Sequence, residues 1–345
     1  MKKRSAGSAK RTALIALCCV LAVVLIALLA VTILANRILG QVQHPEDTTL
    51  SSSQIEEFLN DNTVPVTGPT ISEGNIDFGT KPTEVIEDNE IINILLIGQD
   101  ARTAAGWQKS EVMILCTFNK KAKNVTMTSF LKDIYVQIPG HGNNKLNVAY
   151  TIGGMKLLNQ TLEENFGVQI DGNITVNFGS FIKLIDMAGG VDIELSAAEA
   201  NYLNKNGNWG VTSNNGWNLK EGKNVLSGAQ ALGYSRIFAI DDEMVRSNRQ
   251  RNVIAALIEQ TKKMSLAEMY DLAKEAAAMI STNLTDNQIK EYITKVAPLL
   301  ADLNVADQRI PVDGSYSYKN VGNIGNCAVI DFDTNRKLLA DILNP

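Results

Sequence analysis

Four arginines, Arg236, Arg246, Arg249 and Arg251, fall within one stretch, YSRIFAIDDEMVRSNRQRNVI (Tyr234–Ile254), of a chain whose net charge is −5. A guanidinium is permanently protonated, and its planar fork fits carboxylates and phosphates. Arg246, Arg249 and Gln250 stand at i, i+3 and i+4, so a helix would present them on one face. Val253 and Leu257 continue that face, which buries the later turns and leaves the first turns to present charge. The helix N-terminus adds partial positive charge at the same end. Arg236 arrives from the preceding helical segment. Asp241, Asp242 and Glu243 stand between. They could neutralise the arginines within the fold or cap the helix. An internal ion-pair network and an anion site both agree with this spacing.

Acids of complementary use occur earlier. In GQDAR (98–102), Asp100 and Arg102 leave the end of an apolar run, IINILLIG. The C-terminal edge of a buried strand is where α/β sheets collect ligands. Glu111, in KSE, precedes the next apolar run and reaches the same edge if the two strands pair antiparallel. Two carboxylates there could hold Mg²⁺, which takes oxygen ligands and phosphate co-ligands. They could equally be strand-end acids satisfied by lysine or arginine. Lys132 and Asp133, closing SFLKD (129–133), belong to the same rim or to a solvated turn. Taken together, acids for a divalent ion and cations for a polyphosphate describe pyrophosphate chemistry. A P-loop, a dinucleotide fingerprint, kinase signatures and a G-x-S-x-G elbow are all missing, so nucleotide and serine-hydrolase chemistry lack support.

The elements that must position these groups begin well into the 345-residue chain. Residues 1–11 are basic, and 12–36 carry an apolar run long enough to cross about 30 Å of hydrocarbon as a helix. That run exceeds the apolar core of a cleavable signal, and TILANR offers no clear cleavage site. The excess of Lys and Arg before it predicts a cytoplasmic N-terminus, a single-pass membrane helix and an extracytoplasmic main domain. Residues 37–88 read as a polar stalk with one short helix. From 89 to 345, strands at 91–98, 112–119, 124–130, 135–140, 174–178, 191–195 and 305–312 alternate with helices at 153–167, 181–190, 226–236 and 243–263. A helical part begins at about 265, and a closing helix covers 334–343. The expectation is an α/β domain with a central mixed, largely antiparallel sheet flanked by helices. Cys116 and Cys327 could form one disulfide or remain buried thiols. Two histidines make a histidine-based metal site improbable, and the acidic balance argues against nucleic acid.

The blocks NILLIGQDAR, KSEVMILCTFN, SFLKDIYVQIPG, KLNVAYTIGG, NFGSFIKLIDMAGGVDIEL, LSGAQALGYSR and RSNRQRNVIAAL follow one another over about 90–260. In this order they resemble the LytR–CpsA–Psr family. The resemblance implies a membrane-anchored enzyme that transfers a glycopolymer from a polyprenyl-pyrophosphate carrier to a peptidoglycan acceptor, forming a phosphodiester with Mg²⁺ as cofactor. It implies that Asp100 and Glu111 hold the metal, with Glu111 where the family usually has aspartate. It implies that Arg102, Lys132, Arg236, Arg246, Arg249 and Gln250 bind pyrophosphate, and that Asp100, Arg102, Lys132 and Arg236 serve catalysis. Lys132 replaces the usual arginine, keeping the charge and losing the fork. Phe238 replaces the second arginine of the usual YVRxR block, and Val245 the glycine of GRxxRQ. Loss of one positioned donor can cost about 10²–10³ in rate. The resemblance therefore carries two further expectations beside the transferase: a weak, carrier-binding scaffold or regulator, and a lipid-pyrophosphate hydrolase.

Overall fold

The computed structural model describes residues 37–45, 49–61, 69–82, 90–99, 109–206, 217–296 and 304–343. Two compact units divide the chain at Val42/Gln43, and the second carries every element below. The predicted membrane span lies outside the described residues. Among the described residues, no helix is long and apolar enough to cross a membrane.

In chain order the elements are α1 (Ser52–Asp61), β1 (Thr70–Ile71), β2 (Ile91–Gln99), β3 (Ser110–Asn119), β4 (Asn124–Phe130), β5 (Tyr135–Ile138) and β6 (Gly142–Lys145). Then come α2 (Leu146–Phe166), β7 (Gly172–Asn177), α3 (Phe178–Met187), β8 (Val191–Leu195), α4 (Ala197–Asn206), β9 (Gly222–Leu226), α5 (Gly228–Ser235) and α6 (Glu243–Thr261). The chain ends with α7 (Leu266–Met279), β10 (Ile280–Thr282), α8 (Asp286–Val296), β11 (Asn304–Ile310), β12 (Tyr316–Val321), β13 (Gly325–Ile330) and α9 (Phe332–Leu343).

Six strands form the central sheet in the order β10-β7-β2-β3-β4-β11. The β2–β7 and β4–β11 pairs are parallel and the other three antiparallel, so the sheet is mixed and largely antiparallel. Successive side chains of a strand point to opposite faces. Leu95, Ile97, Met113 and Leu115 accordingly join Ile152, Met155, Leu158 and Leu162 of α2 in one core. Ile114, Cys116, Val125 and Met127 join Ile254 and Ala255 of α6 in another. A strand covered on both faces reads as a nearly continuous apolar run, which is why IINILLIG is interrupted only by Asn93, whose Oδ1 accepts from Thr117 Oγ1 at 2.8 Å.

The helices start where the sequence supplies acceptors for the unpaired first N–H groups. Asn177 caps α3, Asp242 caps α6, and Ser227 with Gln230 forms a capping box on α5. Helix α2 starts earlier than its expected 153 and is kinked at Gly153–Gly154. Gly154 adopts φ 60° and ψ −148°, backbone open only to glycine.

Two expectations are corrected. The described residues of 52–61 and 69–80 do not stand off as a stalk: Ile55, Phe58 and Leu59 pack on the main core, Ile76 is buried, and β1 pairs with β12. The part after 265 holds more than helices and the expected strand at 305–312: it supplies β10 as well as that strand, β11, to the two edges of the central sheet, and β12–β13 to a second sheet with β1. Of the two alternatives for Cys116 and Cys327, the structure has buried free thiols, in separate core clusters.

Candidate functional site

The antiparallel pairing of β2 with β3 brings Gln99 opposite Ser110. Asp100 and Arg102 follow β2 in the chain and lie outside the described residues. Glu111, next to Ser110, is therefore at the sheet end expected for it. Strands β3 and β4 pair with Ile114 opposite Ser129. Continued past the end of β4, that register sets Lys132 across from Glu111. The Lys132 ammonium donates to Glu111 Oε2 at 2.6 Å.

The next residue extends the pattern. Asp133 Oδ1 lies 3.1 Å from Lys145 Nζ, and Lys145 is the residue from which α2 departs. The Asp133 carbonyl accepts from Ala328 of β13 at 2.9 Å, which fixes this turn from the side. Lys109 carries its Nζ 5.4 Å from the centre of the Phe58 ring. Burial lowers the pKa of Lys109; Glu111 and Asp133 oppose that, while Lys145 and Lys132 reinforce it.

From the other side of the sheet end, α6 brings Glu243 and Arg246, which bond to each other. Burial raises the pKa of Glu243 against the pull of Arg246 and Lys132, and Asp133 adds to the rise. Arg246 Nε is buried with no hydrogen-bond partner among the described residues. The Arg246 guanidinium lies 5.9 Å from the Phe238 ring centre. Lys109, Lys132, Lys145 and Arg246 thus interleave with Glu111, Asp133 and Glu243 at one end of the sheet.

The remaining cations are placed differently. Arg236 ends α5 with its guanidinium 4.5 Å from the centre of the Phe178 ring. Arg249 is 3% exposed, bonds to Glu199 Oε1 at 2.7 Å and to Asp241, and donates to the Ile237 carbonyl at 3.1 Å. Two acids therefore already reach Arg249, which was expected at the phosphate, inside the fold. Gln250 makes one long contact, Nε2 to the Ser235 carbonyl at 3.5 Å. Arg251 staples α6 to β4 and β11 through Ser129 Oγ at 2.7 Å and Asp307 at 3.0 Å. Lys109 and Lys145 were not expected in the cluster; standing just before β3 and just before α2 was the available signal. Glu243, expected as an acid that neutralises the arginines or caps the helix, opens α6 and pairs with Arg246.

Among the described residues, no three of His, Cys, Asp and Glu are grouped to hold a metal ion. The described part of the expected Mg²⁺ site is the Glu111 carboxylate. Its hard oxygen at a strand end suits that ion's preference.

Residues 57–329 match the sequence model of the LytR_cpsA_psr family. The chain belongs to this family. Regulatory protein MsrR of Staphylococcus aureus (strain Mu50) is 29% identical over 266 residues, covering 75% of this chain and 76% of MsrR. The polyisoprenyl-teichoic acid–peptidoglycan teichoic acid transferase TagT of Bacillus subtilis (strain 168) is 30% identical over 234 residues, covering 67% and 70%. Among solved structures, TagT bound to LIIa-WTA aligns with a TM-score of 0.61 at 24% identity, over 78% of this chain and 97% of that one. The family protein YwtF (TagT) with bound octaprenyl pyrophosphate lipid aligns at 0.57 and 24% identity, over 78% and 99%. At that identity these two structures establish a shared LytR_cpsA_psr fold.

Proposed function

We propose that this protein transfers a glycopolymer from a polyprenyl-pyrophosphate carrier to a peptidoglycan hydroxyl, anchored in the membrane by its apolar N-terminal run with the domain outside. The observation that carries this reading is the interleaved cluster at the sheet end. It collects three lysines and an arginine from four separate segments of the chain beside the exit of β2, in a chain of net negative charge. TagT and its relative from Oceanobacillus iheyensis, TagU, are named for this transfer.

In this mechanism Lys132, Arg246 and Arg236, with Lys109 and Lys145 behind them, neutralise the diphosphate, and Arg102, which follows β2 in the chain, adds its charge. Arg249 holds the α5–α6 turn through Asp241 and so positions Arg246 rather than touching phosphate. The acceptor hydroxyl attacks the sugar-side phosphorus in line. The bond from that phosphorus to the bridging oxygen breaks, and prenyl phosphate leaves with the electron pair. The hydroxyl proton passes to a carboxylate, and Asp133 stands on the rim for that purpose. Mg²⁺ held by Glu111 and Asp100 would supply further charge neutralisation at the phosphate oxygens. Phosphoryl transfer of this kind rests on positioning and electrostatics more than on covalent help from the protein.

A second reading, a carrier-binding regulator with little turnover, is favoured by one observation. Lys132 and Arg246 each already hold an internal acid, and Phe238 brings no charge. The separating experiment uses the full chain in detergent with a polyprenyl-pyrophosphate saccharide, Mg²⁺ and peptidoglycan. Transfer that depends on the acceptor supports the transferase. Binding without product supports the regulator, and prenyl phosphate released without acceptor indicates hydrolysis. Unchanged binding in both Lys132→Ala and Arg246→Ala would remove the site assignment.

A further inference from the structure

Phe238, Ile240 and Val245 are 55%, 40% and 37% exposed, three large apolar side chains within eight residues of one another. They occupy the turn before α6 and its first turn. That turn lies at the end of the molecule where the charged cluster gathers: Arg246 follows Val245 and faces Phe238. Arg251, further along α6, bonds to Ser129 near the C-terminal end of β4, so the first turn of the helix projects past the sheet end.

The acids of this turn do not make it a repelling surface. Asp241 is bonded to Arg249, Glu243 to Arg246, and the Asp242 carboxylate accepts from the backbone of Met244 and Val245. What the turn offers outward is three apolar side chains, with the exposed, helix-capping Asp242 among them and Arg246 beside them. An aromatic and aliphatic tip with an arginine at its side is a composition that settles at the headgroup level of a bilayer.

Connectivity points the same way. Gln43, the first residue of the second unit, accepts from Thr282 N at 3.0 Å and bridges to Ser281 of β10. Ser281 pairs with Thr175 of β7. Thr175 lies two register steps from Asn177, the partner of Gln99. The chain thus enters the domain close to the sheet end that bears the cluster. Only residues 37–42 separate Gln43 from the predicted span, and at about 3.5 Å per residue they reach roughly 20 Å at most.

We propose that Phe238, Ile240 and Val245 form a membrane-docking lip. On the anchored chain they seat in the bilayer interface, setting the cationic cluster at the depth of the carrier's diphosphate. This rests on the anchored reading given above, and its test separates the two.

The full chain is reconstituted into vesicles of phosphatidylglycerol and phosphatidylethanolamine with chains brominated near the headgroup. Phe238→Trp and Ile240→Trp are each compared with the parent for added tryptophan emission. Val225→Trp is the control: Val225 is 63% exposed and opposes Asp192, which bonds to Lys263 beyond the far end of α6. At 19 residues, that helix sets the control roughly 28 Å from the lip. Emission added at 238 and 240 is mostly lost and blue-shifted in brominated vesicles, and emission added at 225 is retained. Equal quenching at all three positions, or none at 238 and 240, overturns the proposal. So does protection at 240 accompanied by cross-linking between copies, which would make the lip a self-association face. Carrier binding is measured separately in detergent: its loss with quenching intact sinks the transferase reading alone, and the reverse sinks the lip alone.

Discussion

Arg246 and Arg249 are three residues apart on one helix and do different work. Arg249 is held among Glu199, Asp241 and a carbonyl away from water. Removing one partner of a buried ion pair leaves the others uncompensated, at about 3–5 kcal/mol. Arg249→Ala is expected to lower the urea midpoint accordingly. Lys132→Ala breaks a part-exposed pair, costs under about 1 kcal/mol, and weakens carrier binding instead. Equal stability losses in the two variants would contradict this division. The thiols give a pH signature. Burial pushes Cys116 up to about 12 and Cys327 up to about 11. Both are raised in the folded state, so their contribution is complete below the unfolded thiol value of about 8.5. As pH rises from there toward the folded values, the unfolded chain ionises first and stability falls by up to about 1.4 kcal/mol per unit for each thiol. Urea midpoints across that window should decline, less steeply in Cys327→Ala. Peptide mapping after alkylation at pH 8 should find both cysteines unmodified in the native protein.

At the level of elements, the kink in α2 divides a first segment that starts at Lys145 from a second that covers the core. Gly154→Ala forces a side chain into backbone reserved for glycine and is expected to cost about 1–3 kcal/mol, read as a fall in thermal midpoint. No loss would mean the kink relaxes freely. Much of this level was legible beforehand. Strands β2 and β3 announce themselves as mostly apolar runs, α3 ends just before a glycine pair, and α6 carries an acidic cap. Strands β12 and β10 did not. SYSYKN is polar on an exposed face, and β10 has three residues; such strands owe their form to the neighbours they pair with rather than to their own pattern. The cluster was legible where its members flank predicted strands, as Glu111 and Lys132 do, or sit in the first turn of a predicted helix, as Arg246 does. Lys109 and Lys145 meet them through tertiary packing that no local spacing encodes.

For the whole molecule, the domain boundary is the main lesson. The sequence suggests a start near Glu90, yet Ile76 is buried in one core and the half-buried Ile55, Phe58 and Leu59 pack against another. Each well-buried apolar side chain is worth about 1.5–3 kcal/mol, against a total stability of about 5–15. A chain beginning at Glu90 should therefore lack native near-ultraviolet dichroism, whereas one beginning at Gln43 should keep it. A cooperative, native-like 90–345 fragment would contradict that boundary.

The 2.6 Å contact between Lys132 and Glu111 has a thermodynamic corollary. Each group blocks the other's employment elsewhere. An incoming anion that draws the ammonium away leaves the carboxylate bare, and a divalent ion that takes the carboxylate sets the ammonium loose. Two oppositely charged guests competing against one latch must assist each other by equal factors, whichever arrives first.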